Sequence, residues 1–105
     1  MEIIWSDFAI ENLKDIFDYY CLNANKKIAQ KIRNQILDAA QQLKENPESG
    51  QREFYLEGLE QVYRYLVVTH FKIIYRFTDK QIFINDVFDT RQDPSKMNDV
   101  SRRIS

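Results

Sequence analysis

Glycine and proline are scarce in this chain of 105 residues, with two of each, and cysteine, histidine and tryptophan occur once apiece. So little punctuation predicts long regular elements joined by short connections. Cys21 has no second cysteine to pair with inside the chain, so nothing calls for an oxidising compartment. No run approaches the roughly 18 apolar residues of a membrane span. The opening MEIIWSDFAIENLK is too acidic for a signal peptide. We therefore expect a cytoplasmic protein without membrane association.

A large positive excess is also missing, since the formal net charge is −1. The balance is nevertheless uneven. Residues 1–60 carry seven Lys/Arg against eleven Asp/Glu, and residues 61–105 carry eight against five. Proteins that live on phosphate contacts usually carry a larger excess, so any basic surface here has to be local. What the chain does have is a 44% hydrophobic and 13% aromatic composition, which excludes disorder and predicts a single core of modest size.

The order of patterns predicts an α+β domain. EIIW at residues 2–5 reads as a strand, and Ser6 as the N-cap of a helix over residues 7–22. Ala9, Leu13, Ile16, Phe17 and Tyr20 recur there at helical spacing. Ile28, Ile32, Ile36, Ala39 and Leu43 mark a second helix from about residue 25 to Glu45, ended by Asn46-Pro47. Residues 47–61 read as a loop with a short strand at Glu53–Leu56. VYRYLVVT, FKIIYRFT and QIFINDVF then predict three antiparallel strands, the first two separated by His70. The expected architecture is β-α-α-β-β-β, an antiparallel helical hairpin packed on one face of a mostly antiparallel sheet, with the other face at least partly open. Residues 1–94 form the domain, and residues 95–105 form a polar tail.

Strand alternation assigns Phe71, Ile73, Tyr75 and Phe77 to the helix side and Lys72, Ile74, Arg76 and Thr78 to the open side. With Arg64 on the preceding strand and Arg91 just past the following one, four cations are expected to converge on one surface. Such a surface suits phosphate or an acidic partner. His70, at a hairpin turn, reads as exposed, and Cys21 as buried and inert. Asp86, Asp89, Asp93 and Asp99 match no Ca²⁺ loop, and the ligands for a structural zinc site are lacking, so no metal or cofactor is expected. Glu45, Glu48, Glu53, Glu57 and Glu60 read as a solvated acidic loop. Tyr63 and Tyr65 share a face and are expected to pack.

Taken in order, the Trp5 strand, the Ala9…Leu13…Ile16…Tyr20 helix, the Pro47…Gly50 break, Arg64-x-Leu66, FKIIYR and the terminal VFDTRQDP resemble the RelE/ParE superfamily of type II toxins over roughly residues 2–94. The resemblance implies a growth-inhibiting toxin of a plasmid-stabilisation type, neutralised by a cognate antitoxin that lays a helix or strand across it. RelE-like members cut mRNA on the ribosome without metal, and in that reading Arg64, Arg76 and Arg91 would be catalytic. ParE-like members inhibit DNA gyrase, and in that reading Lys72, Arg64 and Arg91 would contact a partner. A third reading is a non-toxic binding protein of the same fold. Val67 stands where nuclease-type members often carry a further basic residue, and neither Tyr nor His follows Arg91. Both departures tilt the expectation towards the ParE-like activity.

Overall fold

The computed structural model describes residues 1–98. Strand β1 (Glu2–Trp5) leads into helices α1 (Asp7–Asn23) and α2 (Lys26–Gln42). Strands β2 (Gln51–Arg52), β3 (Arg64–Val68), β4 (Phe71–Phe77) and β5 (Gln81–Asp89) follow. Short 3₁₀ turns occupy Phe54–Leu56 and Pro94–Asn98. The five strands form one sheet in the order β1-β5-β4-β3-β2. β1 runs parallel to β5, while every other neighbouring pair is antiparallel.

Local chemistry explains the helix ends. Ser6 Oγ accepts the Ala9 N–H at 3.0 Å, and Asp7 lies in the first turn, where the helix dipole favours a carboxylate. Asn25 Oδ1 accepts the Ile28 N–H at 2.9 Å and starts α2 two residues after α1 ends. The α-helical part of α2 stops at Gln42, not at the expected Glu45. Its last residues tighten into i→i+3 bonds instead, from Leu43, Lys44 and Glu45 to Ala40, Gln41 and Gln42. Along α2, Ala29, Ile36, Ala40 and Leu43 are buried, whereas Ile28 is 41% exposed and leaves the expected stripe.

The main core lies between the helical hairpin and the sheet, with Ala9, Ile36, Leu43, Phe71, Ile73, Tyr75, Ile82, Ile84 and Val87 among its buried members. A bulge sets the alternation along β5. Ile74 faces Asp86 and Tyr75 faces Ile84, so Asn85 is left over between them. Ile82 and Ile84 point to the helices before the bulge, and Val87 does so after it. β4 keeps strict alternation, and the helix-side assignment of Phe71, Ile73, Tyr75 and Phe77 holds.

The far face of the sheet carries a second, smaller core of Leu56, Ile74, Phe88 and Met97, with Leu59, Tyr63 and Tyr65 packed against it. That face is therefore open only in part. The expected strand at Glu53–Leu56 is replaced by the two-residue β2 and a 3₁₀ turn, because the Glu53 carboxylate accepts the Tyr55 N–H at 3.2 Å and turns the chain. Residues 95–98 of the tail belong to the second 3₁₀ turn, with Met97 buried; residues 99–105, including Asp99, lie outside the described residues.

Candidate functional site

A cleft of about 400 Å³ opens where the middle of α1 meets the end of β5. Ile16, Phe71 and Val87 give it an apolar floor, and Tyr19 and Tyr20 contribute aromatic surface from α1. Asn12, Asp15, Asp89, Arg91 and Gln92 supply its polar groups. Positions 12, 15, 16, 19 and 20 share one helical face because they recur at spacings of three and four. The site is thus one face of α1 set against the exit of β5.

Two contacts fix its walls. Tyr20 Oη lies 3.0 Å from His70 Nε2, tying α1 to the β3–β4 turn, and the His70 ring centroid sits 4.2 Å from that of Phe71. His70 is thus half-buried and hydrogen-bonded rather than the exposed turn residue expected from the sequence. Thr90 holds the same turn from below through its N–H and hydroxyl, which both donate to the His70 carbonyl at 2.8 and 2.7 Å. At the rim, the Arg91 guanidinium grips Asp89 through Nε at 3.0 and 3.2 Å and through its terminal nitrogen at 2.7 Å. The Arg91 hydrogen bonds hold the Asp89 carboxyl below its usual range, and the same carboxylate raises Arg91. Asp93 is also lowered, chiefly by the Ser95 N–H that its carboxylate accepts.

The four cations singled out in the sequence do not meet. Lys72 and Arg76 do share the far face of the sheet. Lys72 Nζ lies 2.7 Å from the buried Glu53 carboxylate and 4.2 Å from the centroid of the Tyr65 ring. Arg76 lies over Phe83, its guanidinium carbon 4.1 Å from the ring centroid. Arg64 is opposite Tyr75 in the β3–β4 register and so points to the helix side. There it donates to the Gly50 carbonyl at 3.0 Å. Arg91 lies beyond the other end of β4 from Arg76: Phe71 pairs with Asp89, and Arg76 with Phe83. Five residues of strand separate those pairs, roughly 16 Å at about 3.3 Å per residue. Of the four, Arg91 alone is exposed.

Glu53 leaves the solvated acidic loop expected of it: it is 1% exposed and paired with Lys72. Tyr63 and Tyr65 pack, as expected. Cys21 is half-buried. Among the described residues no group of three or more His, Cys, Asp or Glu is arranged to hold a metal ion, and no helix is long and apolar enough to cross a membrane. Sequence reasoning missed Asn12, Asp15 and Tyr19 as members of the site. Their shared helical spacing with Ile16 and Tyr20 was the available signal.

A two-helix hairpin packed on a five-stranded mixed sheet matches the architecture expected from the sequence. A family model described as the ParE toxin of the type II toxin–antitoxin system parDE matches residues 3–94, and the chain belongs to that family. The solved structure of the chromosomal ParDE TA system from P. aeruginosa is similar in fold, with a TM-score of 0.71 at 21% identity. The match covers 85% of this chain and 95% of that one. No curated protein matches the sequence.

Proposed function

We propose that this ParE-family toxin arrests growth in the cytoplasm by binding DNA gyrase through protein–protein contact, and that a cognate antitoxin neutralises it. The observation that carries this reading is the disposition of the basic residues. A nuclease that stabilises a pentacoordinate phosphate needs cations aimed at one point. Here Arg64, Lys72 and Arg76 are spent on Gly50, Glu53 and Phe83 and are spread over both faces of the sheet. Of the four, Arg91 is the exposed one, oriented by its ion pair with Asp89 at the mouth of the cleft. It is the contact residue we assign to the target.

Induced expression of the wild type and of Arg91→Ala tests the assignment. Loss of one charged contact is expected to weaken target binding about tenfold, seen as a partial release of growth arrest. Full arrest by the variant would move the contact elsewhere. New mRNA ends in translating cells, mapped by primer extension, would replace the gyrase reading with ribosome-dependent cleavage.

A further inference from the structure

The cleft between α1 and β5 has a chemistry of its own. Its floor is apolar, its aromatic surface comes from Tyr19 and Tyr20, and its charges are Asp15, Asp89 and Arg91. Asp89 and Arg91 neutralise each other at 2.7 Å. The Asp15 carboxylate has no ion-pair partner among the described residues. The cleft therefore presents a net negative charge beside apolar and aromatic surface. Glu11 and Asp18, both exposed, flank Asp15 at spacings of four and three along α1, and the exposed Lys14 offsets one of these three charges, leaving the helix edge net negative. Tyr19 is 51% exposed at this edge, and Leu22 is 85% exposed one turn further along.

From this complementarity we infer that the cleft receives a protein segment carrying an arginine or lysine between apolar residues, and that this segment belongs to the antitoxin. The basic head lies at Asp15 within reach of the tyrosine faces, which favour a cation over their rings. The side-chain stem and its apolar neighbours lie on Ile16, Phe71 and Val87. An occupant seated there covers Arg91 at the rim, so filling the cleft also withdraws the contact assigned to the target. The inference rests on the toxin–antitoxin reading for the identity of the partner, and on the cleft alone for its chemistry.

The test uses the purified full chain and two synthetic peptides, acetyl-LRLLRL-amide and acetyl-LELLEL-amide, followed by amide chemical shifts. The arginine peptide is expected to perturb residues 12–20 and 87–92, and the glutamate peptide to bind at least about fivefold more weakly. Asp15→Asn should weaken the arginine peptide about three- to fivefold. Glu48→Gln removes the same charge from an exposed site in the loop after α2 and should leave binding unchanged. Circular dichroism checks that both variants keep the helical signal of the parent. Equal binding of the two peptides, equal losses in the two variants, or shifts outside the cleft would each overturn the proposal. So would absence of binding, or spermidine competing as well as the peptide binds. These titrations read neither growth nor gyrase, so the cleft assignment and the target assignment fail separately.

Discussion

Lys72, on the far face of the sheet, is paired with the carboxylate of Glu53. Glu53 is almost fully buried and its carboxylate has two tasks, accepting the Tyr55 N–H at 3.2 Å and pairing with Lys72 at 2.7 Å. Removing one member of such a pair leaves a buried charge without compensation, whereas replacing both is often nearly neutral. Lys72→Ala is expected to cost about 3–5 kcal/mol in urea unfolding, and Glu53→Gln combined with Lys72→Met to recover most of that loss. An unaltered midpoint in Lys72→Ala would show that water already compensates the carboxylate. At the cleft rim the linkage runs with acid. Arg91 lowers the folded-state pKa of Asp89, so its contribution to stability is complete above the ordinary carboxylate pKa and is lost as pH falls through the lowered folded value. Wild-type protein should therefore lose stability more steeply below about pH 4 than Arg91→Ala does in parallel thermal unfolding. Identical slopes would mean that the pair does not persist in solution.

Gly50 and Tyr75 join the loop after α2 to the sheet. Tyr75 Oη donates to the Pro47 carbonyl at 2.7 Å and accepts the Gly50 N–H at 3.0 Å, and burial raises the phenol above its ordinary value. A Cβ at Gly50 would lie 2.5 Å from that oxygen and 2.7 Å from the Tyr65 carbonyl, which is backbone and cannot turn aside. Gly50→Ala should therefore destabilise more than Tyr75→Phe, for which about 1–3 kcal/mol is expected from the orphaned Gly50 N–H. Chemical denaturation of the two variants checks the order. The same elements show how much the sequence could reveal. Helix faces, caps and strand alternation were legible because each is a local, periodic signal. The face of Arg64 was not. A turn centred on His70 alone would set Arg64 opposite Arg76, whereas the actual two-residue turn, Thr69-His70, sets it opposite Tyr75. One residue of register moves the side chain to the other face of the sheet. Glu53 escaped for a related reason: its partner is 19 residues away across an irregular loop, and no periodicity links them.

For the molecule as a whole, the hairpin and sheet were readable from the order of patterns, while the cleft was not. It needs α1 and the end of β5 side by side, and that juxtaposition comes from β1 pairing in parallel with β5 at the sheet edge. The second core around Leu56, Ile74, Phe88 and Met97 was hidden for the same reason, since its members come from four separate segments. What results is a toxin of the ParE family in which Arg64, Lys72 and Arg76 are committed to contacts within the fold, and Arg91 with the adjacent cleft is the surface proposed for partners. Contact with gyrase is the mode of action proposed for it. Supercoiling of relaxed plasmid by purified gyrase, with increasing amounts of this protein, reads that contact without the cell. A dose-dependent loss of supercoiling is expected, weakened about tenfold by Arg91→Ala. Undiminished supercoiling at a large molar excess of folded, growth-arresting protein would contradict it.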